Sequence, residues 1–216
     1  MKENTNNFHI DDLYDSISQT LTMISGSTLT PLDYEITLKG FFKTIVKPLN
    51  PGSAGHYLKD REGEVLRLRA GHQLPEDGMD LLREIPATEI TALFEPSSQV
   101  RVLQDLSVLP VQMDEALSGQ HITTTLAVRY YAEGTLTGAS FFFYERLIEF
   151  PPQTLQQLQF VGSLIGTFIT RMELLARYQL REEEMTRKIN EQRRTIEALE
   201  QDLSQSKEIK ANFLAL

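Results

Sequence analysis

The sequence predicts an α+β fold: an antiparallel sheet flanked by helices from both ends of the domain, followed by a long coiled-coil helix. Three observations predict it. Two pairs of β-type runs are each joined by a turn carrying a late Gly, at Gly63 and Gly134. Apolar residues at helical spacing bracket those pairs. From Pro151 to Leu216 no Gly follows Gly166 and no Pro follows Pro152, so nothing breaks a helix there.

Length and composition fit that plan. The 216 residues allow one domain with a long helical extension, or two small domains, and 41% apolar content supplies a core. There is no Cys, which excludes disulfides, thiolate zinc sites, iron–sulfur clusters and a thioether-linked pigment. A net charge of −9 argues against a nucleic-acid surface, which needs clustered cations on phosphate. No apolar run approaches a membrane span, and the polar, acidic Met1–Asp15 stretch is no secretory signal. A cytoplasmic location is expected.

Three regions are expected: an N-terminal helix over 1–30, a sensor-type domain over 31–178 and a coiled-coil helix over 179–216. In the first, Ile10, Leu13, Tyr14, Ile17, Leu21 and Ile24 recur at helical spacing until Ser25-Gly26-Ser27 breaks the pattern. A second helix spans Leu32 to Val46, with Leu38, Phe41, Phe42 and Ile45 on one stripe and Pro48 and Pro51 ending it. Strands follow at Ser53–Lys59 and Val65–Ala70, where Leu66 and Leu68 alternate with Arg67 and Arg69. Between Gly71 and Gly119 the pattern is mixed, with a short helix near Pro86–Phe94, a strand at Gln99–Leu103 and a helical turn at Met113–Leu117. Thr123–Tyr131 and Thr137–Tyr144 form the second hairpin, and the apolar run Phe141-Phe142-Phe143 implies cover on both faces. Pro151-Pro152 opens the last helix, since Pro fits a first turn.

That last helix carries a heptad frame. Its a positions are Phe168, Leu175, Glu182, Ile189, Ile196, Leu203 and Lys210; its d positions include Leu164, Arg171, Tyr178, Met185, Gln192, Leu199, Ser206 and Phe213. The expected dimer interface is Leu164, Phe168, Leu175, Tyr178, Met185, Ile189, Ile196, Leu199, Leu203 and Phe213. Ile at a with Leu199 at d favours two parallel strands. Glu182, Gln192, Ser206 and Lys210 interrupt the seam and weaken it. Asp202 and Lys207 have the spacing of an interchain ion pair, whereas Lys188 and Arg193 at the same spacing repel. Pairing is therefore expected to be tunable. The alternative is one amphipathic helix folded back on its own domain.

The run from Gly55-His56-Tyr57 through Asp60-Arg61-Glu62-Gly63 to Leu66-Arg67-Leu68-Arg69-Ala70-Gly71 resembles the first hairpin of a GAF domain. Thr125-Leu126-Ala127-Val128-Arg129-Tyr130-Tyr131, with Gly134 and Gly138-Ala139-Ser140-Phe141-Phe142, resembles its last hairpin. Phe150-Pro151 and the helix through Gly166 fit its closing helix. The resemblance covers 32–178, with Arg129-Tyr130 standing where many members have Val-Pro. At the far end, Lys207 to Leu216, with Asn212-Phe213-Leu214-Ala215, is similar to the segment before the phosphoacceptor histidine of sensor histidine kinases. The uncapped apolar end fits a chain that continues. The resemblance then implies a missing acceptor His, dimerisation domain and ATP-binding domain, and a response-regulator or receiver partner reached only through them.

No Gly-rich phosphate loop, HExxH or nucleophile-elbow motif is present, so no catalytic residue and no metal site is expected. His9, His56, His72 and His121 lack metal-ligand spacing to one another. The GAF resemblance places His72 and His121 in loops bordering a pocket. With strands paired in the GAF order, Arg67, Arg69 and Arg129 are expected on a common face, where they would clamp an anionic ligand or else be solvated. Tyr57, His72, Phe94 and Tyr131 would supply the pocket's apolar wall or the core. The expected ligand set is Arg67, Arg69, His72, Phe94, His121, Arg129 and Tyr131, for a small molecule of unknown identity; no cofactor is identified.

Together these readings imply the sensory and dimerisation region of a cytoplasmic two-component sensor histidine kinase, itself without enzymatic activity. The rivals are a GAF module that dimerises without a ligand, the sensor of a cyclic-di-nucleotide enzyme, and a GAF-fold enzyme of sulfur or redox chemistry. The last is disfavoured by the absence of Cys and of a nucleophile–base pair.

Overall fold

The computed structural model describes residues 31–214 apart from Arg61, Pro96 and Ser97, with Asp15 and Ser18 as helical positions. The helix expected over 10–24 otherwise lies outside the described residues. Two compact units divide after Met172, earlier than the expected boundary at Tyr178.

In the first unit α1 (Pro31–Leu49) precedes β1 (Ser53–Lys59) and β2 (Val65–His72). The helix runs through Pro48 instead of stopping before it. Its end is set by Asn50, whose left-handed φ of 44° lets its N–H donate to the Val46 carbonyl at 2.9 Å. The segment read as mixed resolves into α2 (Met79–Leu82), β3 (Glu84–Pro86), α3 (Ala87–Ala92), β4 (Val100–Leu103), a single 3₁₀ turn at Leu106–Val108 and α4 (Val111–Leu117). Then come β5 (Thr124–Ala132), β6 (Thr135–Tyr144) and α5 (Pro152–Leu214). The β5–β6 turn is Glu133-Gly134, both at positive φ, as a two-residue hairpin of this hand requires.

The six strands form one sheet in the order β3-β2-β1-β6-β5-β4, and each neighbouring pair is antiparallel. Its faces bury separate cores. On one, Leu38, Phe41 and Phe42 of α1 meet Ala54, Leu58, Leu126, Val128, Tyr130 and Phe142 of the sheet and Leu158, Ile165 and Phe168 of α5. On the other, Tyr57, Leu66, Ala127, Phe141 and Phe143 meet Leu82, Ile90, Phe94, Met113 and Leu117 of the crossover segment. Both terminal helices thus share a face, and Phe141, Phe142 and Phe143 are all buried, as the apolar run implies.

A one-residue slip would exchange these cores, so register matters. Two irregularities adjust it. Between His56 and Tyr57 the partner on β2 jumps from Ala70 to Leu68, leaving Arg69 as the extra residue. Between Tyr130 and Tyr131 the partner on β6 jumps from Gly138 to Leu136, leaving Thr137 extra, and its hydroxyl donates to the Tyr130 carbonyl at 3.2 Å.

Candidate sensory site and helical seam

Arg129 points from β5 to the side away from α1 and α5, where Ala127 also sits. Only 4% of it is exposed. Its guanidinium carbon lies 4.8 Å from the Tyr131 ring centre and 5.4 Å from that of Phe94. An Nη2–H donates to the Glu95 carbonyl at 3.2 Å. Burial pulls the guanidinium below its usual pKa, with Tyr131 acting in the opposite sense. The two π-faces and a carbonyl replace part of its lost hydration, each ring contact contributing about 0.5–2 kcal/mol. Beside it, an Arg101 Nη1–H donates to the Leu93 carbonyl, so two arginines hold the end of α3 against the sheet.

Of the seven expected ligand residues, the fold therefore brings Phe94, Arg129 and Tyr131 together. The common arginine face does not form. Arg67 pairs with Leu58 across the β1–β2 ladder and so shares its side of the sheet, opposite Leu66 and Tyr57. It is exposed and pairs with Glu84 at 3.2 Å. Arg69 is the bulge residue, exposed, and its charge acts on His56. His72, at the end of β2, is half-buried opposite Ala54, and His121 is exposed in the loop before β5. Which face each arginine takes depends on its ladder partner and on the bulge, and these set Arg67 on the side opposite Arg129.

His56 is the buried polar group that sequence reasoning passed over. On the α1 side it is fully buried, with Nδ1 3.0 Å from the Tyr130 hydroxyl and 3.1 Å from Ser140 Oγ. Tyr130 and Ser140 also contact each other through their hydroxyls. Nε2 has no hydrogen-bond partner. Desolvation, then the Arg69 charge, lowers its pKa to about 3, so the ring is neutral at neutral pH. Its place between Ala54 and Leu58 at period two was the available signal. Opposite, Tyr57 is buried with its hydroxyl unpaired, and burial pushes that phenol well above its usual value.

The helical seam is divided. Phe168 is 3% exposed and meets Phe41 edge-on at 5.6 Å, so it belongs to the chain's own core and not to a dimer interface. The α1 stripe needed a large apolar partner, and Phe168 supplies it. Leu164 is half-buried. From Glu173 to Leu214 the second unit is helical, and Leu175, Tyr178, Met185, Ile189, Ile196, Leu199 and Leu203 are all exposed in the single chain, most by more than half. The Phe213 side chain lies outside the described residues. Among the described residues no helix is long and apolar enough to cross a membrane, and no His, Cys, Asp and Glu cluster forms a metal site.

Solved structures share this architecture. The GAF domain of a phosphoenolpyruvate–protein phosphotransferase from Coxiella burnetii is 12% identical, covers 79% of this chain and 99% of its own, and superposes with a TM-score of 0.61. A domain attributed to a two-component sensor histidine kinase of Sinorhizobium meliloti 1021 is 22% identical over 72% of this chain and 99% of its own, at 0.51. Free methionine-R-sulfoxide reductase from Neisseria meningitidis, solved with its substrate, is 13% identical over 76% and 91%, at 0.55. The fold is that of a GAF domain. No protein-family model and no curated protein sequence matches the chain.

Proposed function

We propose that this chain is the sensory and dimerisation region of a cytoplasmic two-component sensor histidine kinase, of simple or hybrid type. The exposed heptad seam carries the reading. Tyr178, Met185, Ile189, Ile196, Leu199 and Leu203 stand 59%, 56%, 59%, 56%, 62% and 56% exposed along one helix. Water is a poor partner for such a stripe, and the heptad spacing fits a second copy of the same helix in parallel. The similarity of Lys207 to Leu216 to the segment before the phosphoacceptor histidine of sensor histidine kinases supports the kinase reading, and with it a receiver partner. Signal, a small molecule or a partner contact, is read on the crossover face of the sheet around Phe94, Arg129 and Tyr131. To act, it must bind two poses of the domain with different affinity.

Because the chain lacks Cys, Leu199→Cys introduces a unique thiol. In a parallel, in-register dimer the two thiols meet and oxidation links the chains completely. An antiparallel pair or a monomer leaves them apart, and either result refutes the proposed seam. Fused in heptad register to a histidine kinase core, the chain should support autophosphorylation that varies with a seven-residue period as linker residues are added. The chain alone should not hydrolyse ATP.

The ligand-free dimerisation module is the second reading, and one observation favours it. Phe141 stacks on Phe143 at 6.3 Å and meets Tyr57 edge-on at 5.9 Å, and all three rings are fully buried on the crossover face of the sheet. A thermal-shift screen of small anions and metabolites separates the two: no compound raises the melting temperature of a ligand-free module.

A further inference from the structure

Behind Arg129, on the opposite face of β5, α5 comes unusually close. A Cβ added at Gly162 would lie 2.6 Å from the Arg129 carbonyl oxygen and 3.3 Å from Gln99 Oε1. One at Gly166 would lie 2.7 Å from the Tyr131 nitrogen and 2.8 Å from its oxygen. Only glycine permits such contact, and Gly166 meets the strand at its irregularity between Tyr130 and Tyr131. Gln99, just before β4, closes the circuit. Its carbonyl accepts the Arg129 backbone N–H at 2.8 Å, and its side-chain Oε1 accepts from Ser163 Oγ at 2.8 Å.

Three elements therefore meet at one point: the Leu93–Glu95 end of α3, held by the arginines; β5 at Arg129–Tyr131; and α5 at Gly162–Gly166. We propose that this point is the joint through which a displacement of the α3 end reaches α5. With no side chain between α5 and the β5 backbone at Gly162 and Gly166, little compressible material separates them, and close-packed interiors pass on small shifts. Gln99 adds a polar link from the same crossover segment. Arg129, Gln99, Gly162 and Gly166 are positioning residues in this scheme. The inference rests on the reading of α5 as the output helix.

Residue-resolved amide hydrogen exchange on the full chain tests it. Gln99→Ala and Arg129→Met should each speed exchange about tenfold at Phe94 and Glu95 and also at Ser163–Thr167, while Phe41–Ile45 in α1 stay unchanged. Arg129→Lys keeps a cation over the two rings and should restore the α5 amides to within about threefold of the parent. Faster exchange confined to the crossover segment overturns the joint, as does an equal rise at every site. Should Arg129→Met not fold, Gln99→Ala decides alone. Sedimentation of the same samples separates this from the kinase reading. A monomer with linked exchange refutes the coiled coil and leaves the joint standing; a dimer without linked exchange does the reverse.

Discussion

Phe168 and Ile189 occupy a positions of one heptad frame on one helix, yet their surroundings are opposite. Phe168 is buried against Phe41 of its own chain, whereas Ile189 is exposed. A heptad states that a residue faces an apolar partner, and does not say whose. In the first stretch of α5 the partner is the α1 stripe and the sheet; in the second stretch the proposed partner is another copy.

The sharpest way to break that comparison is to truncate both stretches. Phe168→Ala leaves a cavity in the core and should cost about 3–5 kcal/mol of domain stability in denaturant titration, without shifting the midpoint of dimer dissociation by sedimentation. If it dissociates the dimer and spares the domain, the assignment of Phe168 to the monomer core is wrong.

The core beside Phe168 offers a second test through pH. His56 has a folded pKa of about 3, against an ordinary value of 6.5, because it is buried and near Arg69. Over that interval the unfolded chain binds the proton and the folded one does not. Its contribution to stability is therefore complete above pH 6.5 and declines as pH falls towards 3, by up to about 1.4 kcal/mol per pH unit. His56→Gln removes this slope; urea titrations of both proteins between pH 7 and 4 should converge at the acid end. Parallel curves would show that His56 does not titrate as a buried neutral ring.

In the exposed stretch, Leu199→Ala should weaken the dimer by roughly 2 kcal/mol, about thirtyfold in dissociation constant, and leave the thermal transition of the domain in place. The smallest effect belongs to the seam's flank. In the proposed dimer Lys188 and Arg193 would repel between chains, but each is already paired within its own helix, with Glu184 at 3.2 Å and Glu197 at 3.3 Å. Lys188→Glu should strengthen dimerisation by only about 0.5 kcal/mol, measured by sedimentation at low salt and absent at high salt.

The strands were legible because burial on one or both faces imposes period two or a continuous apolar run. β1, β5 and β6 lie within one or two residues of their expected limits. α2 and β3 escaped notice because a four-residue helix and a three-residue strand span too little chain to show a period. The candidate site was legible in part. Phe94, Arg129 and Tyr131 converge, but Arg67 and Arg69 do not, because a ladder partner and an extra residue decide their side. Gln99 and the contacts of Gly162 and Gly166 left no trace in local pattern. Each joins residues distant along the chain.

By itself the sequence determined what repeats locally: alternation in the hairpins, the α1 stripe, the unbroken final helix and its heptads. These follow from the geometry of one element against an apolar surface. Only the tertiary structure decided which surface each residue meets. It gave Phe168 to Phe41, set Arg67 apart from Arg129, buried His56 as a neutral ring and laid α5 on the backbone of β5. Those outcomes depend on register and close approach between distant segments, and a one-residue shift reverses them without altering any local pattern.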